Sequence, residues 1–186
     1  MKKWILGLFA LVALAGPLYA GGIGPMGAYW DTTDAGDDQG LGVRVTVDLG
    51  PRWNLELRSA WLDEFYQVDD GILFQVKAFP IDMGISYGFE TSSKIEPYLG
   101  VGVTYVDIDP TVVGDDIGRR IEVEIPEEAG IYYMAGLDVP IMNDKLSLFF
   151  EAVYSNVKAK ANSTDIRDFD VDMTGAGANF GLVLNF

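Results

Sequence analysis

The segment Phe79-Pro80-Ile81-Asp82-Met83-Gly84-Ile85-Ser86-Tyr87-Gly88-Phe89 decides the fold. Large apolar side chains occupy every second position, and Pro80, Asp82, Gly84, Ser86 and Gly88 fill the gaps. A period of two sends successive side chains to opposite faces of an extended strand, whereas a helix returns to one face every 3.6 residues. The segment therefore predicts a strand with one wholly apolar face and one small or polar face.

The same alternation continues in both directions from this strand. Toward the N-terminus, Leu41, Val43, Val45, Val47 and Leu49 alternate with Gly42, Arg44, Thr46 and Asp48, and Trp53, Leu55, Leu57 and Trp61 alternate with Asn54, Glu56, Arg58 and Ala60. Toward the C-terminus, Leu99, Val101, Val103 and Tyr105 face away from Gly100, Gly102 and Thr104. Ile131 to Val139, Leu146 to Tyr154 and Ala176 to Phe186 repeat the pattern. A glycine-rich stretch near 23–31, ending in Tyr29-Trp30, supplies a first strand of ambiguous parity. The expected fold is all-β: an eight-stranded antiparallel up-and-down transmembrane β-barrel.

Link lengths alternate as well. Short links fall at 50–52, 90–96 and 141–144, and long ones at 32–39, 62–71, 109–129 and 159–174. An up-and-down barrel then gathers the long loops at one end and the tight turns at the other, as in outer-membrane barrels. The alternation alone also fits a soluble lipocalin-like barrel with a dry core. Three features favour lipid. The apolar face carries no charge and only Ser59 as a plainly polar member, as hydrocarbon demands when a midplane charge costs ~2–4 kcal/mol. The opposite face is rich in glycine and holds Tyr132, Met134, Phe149, Val153 and Val183, a poor water-facing surface but a suitable filling for a narrow barrel. Aromatic residues collect toward strand ends: Trp53, Phe89 and Phe186 at the tight-turn end, and Trp30, Trp61, Phe79, Tyr105 and Tyr154 toward the loops, the arrangement of two interfacial girdles.

The N-terminus reads as an address. Lys2 and Lys3, the apolar run 4–15 and Leu18-Tyr19-Ala20 form the three parts of a secretory signal peptide. This gives residues 1–20 as a cleaved leader and 21–186 as a single barrel domain. The formal net charge is −15, with 28 acidic against 13 basic residues, and grows more negative without Lys2 and Lys3. Such a balance disfavours nucleic-acid partners. Cysteine and histidine are both absent. A Ser-His-Asp triad, a His-ligated zinc and a histidine base are thereby excluded, and no catalytic residue, metal site or cofactor is expected.

On the inward parity lie Arg44, Asp48, Glu56, Arg58, Asp82, Asp138 and Glu151. Unpaired charges are costly in a narrow lumen, so these residues predict a network in which the two arginines bridge several carboxylates. Gly100 and Gly102 are expected to make room for bulky residues across the barrel. Pro80, which lacks a ladder donor, predicts a bulge or a position at the membrane rim. The long loops are acidic, which fits a solvated face near lipopolysaccharide with loosely held divalent cations.

Two segments carry a resemblance. Pro97-Tyr98-Leu99-Gly100-Val101-Gly102-Val103-Thr104-Tyr105 resembles the Pro-Tyr-x-Gly-x-Gly-x-x-Tyr stretch of small outer-membrane β-barrels, including OmpW-like and OmpA/OmpX-like barrels. The ending Phe180-Gly181-Leu182-Val183-Leu184-Asn185-Phe186 is similar to their terminal signal for the barrel-assembly machinery, with Phe180, Leu182, Leu184 and Phe186 as its apolar positions. The resemblance implies a Gram-negative outer-membrane location, with contacts to outer-membrane lipid and lipopolysaccharide. Expected function is a structural or interaction role behind a closed or nearly closed lumen. An OmpW-like narrow channel for small or hydrophobic molecules and a soluble periplasmic binding barrel remain the alternatives, and no enzyme activity is expected.

Overall fold

In a computed structural model of the chain, the residues described are 20–33, 36–69, 72–114, 123–124, 128–142, 144–163 and 169–186. The leader expected at 1–20 lies almost entirely outside them. Among the described residues eleven strands are formed: β1 (Gly21–Thr32), β2 (Gly36–Gly50), β3 (Trp53–Asp69), β4 (Ile72–Gly88), β5 (Glu96–Gly114), β6 (Val123–Glu124), β7 (Glu128–Ile141), β8 (Leu146–Asn156), β9 (Lys158–Ser163), β10 (Phe169–Asp172) and β11 (Gly175–Asn185). Eight of them, β1, β2, β3, β4, β5, β7, β8 and β11, close a barrel in which every pairing is antiparallel. The ring shuts where β1 meets β11. There Gly21 and Phe186 exchange backbone hydrogen bonds of 3.1 and 2.9 Å.

Closure removes sheet edges, so every strand backbone finds a partner within the ring, and hydrocarbon admits no sheet on other terms. β8 and β11 have 11 residues each, close to the ~9–11 that a tilted strand needs to cross a bilayer. β3, β4 and β5, with 17, 17 and 19 residues, exceed that need, and their surplus projects at the loop end. The segments expected as long loops are therefore partly strand. β3 and β4 stay paired out to Asp69 and Ile72, and β9, β10 and β6 form a separate three-stranded sheet. Extended hairpins let these backbone groups bond to each other outside the membrane. β8 passes into β9 at Val157 and β10 into β11 at 173–174, where Met173 N donates to Val157 O at 3.0 Å.

The parity of β1 is now fixed. Met26, Ala28 and Trp30 point inward and are buried, while Ile23 and Tyr29 point outward. Trp30 therefore belongs to the filling of the lumen and not to the girdle in which the sequence placed it. Its register decides this, because Tyr29 pairs with the outward Ala178 of β11 and Trp30 with the inward Gly177. The other aromatic positions lie outside. Trp53, Trp61, Phe89, Tyr154 and Phe186 are exposed, and Phe79 and Tyr105 are partly so. Trp53 and Tyr87 meet with ring centroids 4.9 Å apart, Tyr87 and Phe89 at 5.2 Å, and Trp61 and Phe79 at 5.0 Å.

Pro80 produces no bulge. The register of β4 runs unchanged through it on the β5 side; on the β3 side the ladder keeps its register but skips from Ser59/Ile81 to Leu62/Ala78, the gap that holds Pro80, and the register shifts only beyond, between Leu62 and Phe65. The Ser59 hydroxyl donates to the Pro80 carbonyl at 3.0 Å, so this outward-parity serine bonds to backbone at the proline.

Candidate functional site

The lumen is the candidate site, and its geometry follows from register. Arg44 on β2 lies opposite Arg58 on β3, Arg58 opposite Asp82 on β4, and Asp82 opposite Thr104 on β5. From the other side of the ring, Glu151 on β8 lies opposite Gly136 of β7 and Asn179 of β11. Two arginines placed side by side repel, so each must be held by carboxylates reaching across the barrel.

Arg44 is held on both edges of its guanidinium. Nε and Nη2 donate to the two carboxylate oxygens of Glu56 at 3.1 and 3.2 Å, and Nη1 donates to Asp138 at 3.0 Å. Bidentate pairing of this kind fixes orientation as well as charge. Arg58 Nη1 donates to Glu151 Oε2 at 2.6 Å, while its Nη2 stands 3.4 Å from Asp82. Glu151 is the hub. Besides Arg58 it accepts from the Tyr98 hydroxyl at 2.9 Å and the Asn179 amide at 3.1 Å, and Arg44 Nε lies 3.5 Å away. Ser86 donates to Glu56 at 2.7 Å.

Rings complete the cross-section. Arg44 stands over Phe149 at 4.6 Å and over Tyr98 at 5.1 Å, and Arg58 over Tyr132 at 4.7 Å. Aromatic faces attract desolvated cations, which adds to the carboxylate contacts. Tyr132 and Phe149 are completely buried, as is Glu56. Glycines make these rings fit. A Cβ on Gly136 would overlap the Tyr98 ring, and one on Gly102 would lie 2.6 Å from Tyr132 Cε1.

Six of the seven charged residues read from the sequence thus meet in one belt, and Asp48 does not. It sits toward the tight-turn end, lining an open vestibule of about 350 Å³ with Arg52, Asn54 and Glu96. Its partner across the ladder is Asn54, whose amide, oriented to donate, reaches Asp48 Oδ1 at 2.9 Å. Parity alone placed Asp48 inside, but it lies four residues along β2 from Arg44, past the reach of either buried arginine. Missed by the sequence reading were Tyr98, Ser86 and Asn179, polar residues on the inner face whose role depends on partners across the ring.

Most loop carboxylates fall outside the described side chains. Of those described, Asp31 and Asp37 are exposed, and Asp38 accepts from Gln39 N at 2.6 Å. At the base of the loop sheet, hydrogen bonds from Thr174 hold the Asp172 carboxyl below its ordinary range, and Lys158, at 3.6 Å, adds to this.

An antiparallel eight-stranded barrel with apolar side chains outside and ionised ones inside is an integral outer-membrane barrel. The chain belongs to the outer membrane protein beta-barrel domain family, whose model matches residues 6–186, and its location is the bacterial outer membrane. Solved structures share the fold. The crystal structure of OprG from Pseudomonas aeruginosa has a TM-score of 0.75 at 18% identity, over 90% of this chain and 96% of that one. Neisserial surface protein A follows at 0.62 and 15%, over 89% and 97%. The E. coli outer membrane protein W gives 0.59 and 18%, over 91% and 100%. No curated protein matches the sequence.

Proposed function

We propose that this barrel is a closed-lumen outer-membrane protein with a structural or interaction role, presenting an acidic loop surface to the exterior. The observation that carries the reading is the belt in which Glu151 ties Arg58, Tyr98 and Asn179 together while Glu56 and Asp138 hold Arg44. Removing one member of such a buried network strands a charge, at a cost of ~3–5 kcal/mol, so the plug is not lightly opened. A soluble binding barrel does not fit a chain of this family that turns Leu41, Val103, Phe150, Phe180 and Leu184 outward.

The proposed partners are outer-membrane phospholipid around the apolar belt, lipopolysaccharide and loosely recruited divalent cations at the loops, and the assembly machinery at Phe180, Leu182, Leu184 and Phe186. In keeping with this role, the chain is read as having no enzymatic activity, since it has no histidine to serve as a base. Planar-bilayer recording of the refolded protein tests the closed lumen against the narrow channel. The expected result is a silent membrane; steady conductance that follows protein insertion would replace the plug with a pore.

A further inference from the structure

Arg58 differs from Arg44 in one respect that the belt does not account for. Arg44 presents its Nε/Nη2 edge to Glu56 and fills it with two hydrogen bonds. The same edge of Arg58 has no hydrogen-bond acceptor among the described residues, although the side chain is almost completely buried. Asp82 Oδ2, at 3.4 Å, is an ion-pair partner outside hydrogen-bonding geometry. Two buried N–H donors left open are expensive, by ~1–3 kcal/mol for each group and more when charged.

Arg58 also lines a partly open pocket of about 40 Å³ on the loop side of the belt, together with Asp82, Thr104, Ser155, Ala60 and Trp30. One water needs ~10–15 Å³ of such space and two to four polar partners, so the pocket has room for roughly three or four. Its walls supply a cation, a carboxylate and two hydroxyls. A small anion would also suit the open guanidinium edge, but Asp82 and the Glu151 carboxylate already crowd that cation with negative charge.

We propose that this pocket is a hydration site, in which ordered water accepts from Nε and Nη2 of Arg58 and donates to Asp82. Water completes the arginine that protein groups leave incomplete. The inference rests on the closed-lumen reading, since the belt is what bounds the pocket from below. It makes the two arginines unequal: Arg44 is tied by protein alone and Arg58 partly by exchangeable solvent.

The test is nitrogen-15 NMR of the arginine Nε–H groups in the detergent-refolded protein, with Arg44→Lys and Arg58→Lys used to assign the signals. The expected result is a water cross-peak and an exchange rate at least about tenfold faster for Arg58 than for Arg44. Ala60→Leu, which fills the pocket, should abolish the Arg58 cross-peak. Slow exchange and no water contact at both arginines would overturn the hydration site and leave the closed lumen standing. Fast exchange at both would overturn the closed lumen as well. A cross-peak that survives in folded Ala60→Leu would place the water elsewhere and also overturn the proposal.

Discussion

Phe149 and Phe150 are successive residues of β8, and they live under opposite rules. Phe149 is 0% exposed, packed beneath the Arg44 guanidinium, whereas Phe150 is 53% exposed on the outer face. Their neighbours follow suit: Glu151, inside, gathers two arginines, a tyrosine and an asparagine, and Ala152, outside, meets nothing polar across the ladder but the backbones of Ala135 and Ala178. One strand thus serves two media. In hydrocarbon a charge has no partner and is unfavourable, while in the lumen a charge is stable only because its partner is already in place, so inside and outside faces should answer substitution differently.

The largest effect is expected inside. Glu151→Ala leaves Arg58 without its shortest contact and should destabilise the barrel by ~3–5 kcal/mol in denaturant unfolding from lipid vesicles. Glu151→Gln, which retains an acceptor for Tyr98, should lose less. A loss below ~1 kcal/mol for the alanine variant would show that the hub contributes little. Next comes a charge on the outer face. Val101 pairs with Ile85, between the levels of Phe79 and Phe89, so Val101→Arg should cost ~2–4 kcal/mol by the same assay. Overpacking ranks third. Gly136→Ala drives a methyl into the Tyr98 ring and should cost ~1–3 kcal/mol, whereas Ala135→Val one residue away faces lipid and should be close to neutral.

The smallest effects are expected where both faces give way to water. Arg52 bonds to Glu90 and Tyr87 at the tight-turn end, and Arg52→Ala should leave unfolding unchanged within error because exposed ion pairs contribute little. Asp172, whose carboxyl is held below its ordinary range, stabilises the loop base at neutral pH. That contribution should be full above the ordinary carboxylate pKa and be lost progressively as pH falls from there through the lowered pKa, with the Thr174 amide chemical shift reporting the lowered titration of the folded state.

Much of this architecture is legible in the sequence because alternation in strands such as 79–89 is unbroken and a shift of one residue would expose every charge to lipid. β1 was not legible in the same way. Its inner Met26, Ala28 and Trp30 and its outer Ile23, Pro25 and Tyr29 are equally apolar, so pairing with β11 and not composition chose the face. The charged belt was legible as a set of inward residues but not as a set of contacts. Which carboxylate meets which arginine depends on the stagger around the ring, and that stagger carries Asp48 out of the belt and brings Asn179 and Tyr98 into it.

Nuclear Overhauser contacts between methyl groups and detergent acyl chains test orientation most directly. Val101, Val103, Leu182 and Leu184 should show them, and Met26, Met134 and Val183 should show neither these nor contacts to bulk water. Acyl-chain contacts on the second group, or water contacts on the first, would mean that the faces are reversed or the interior is open.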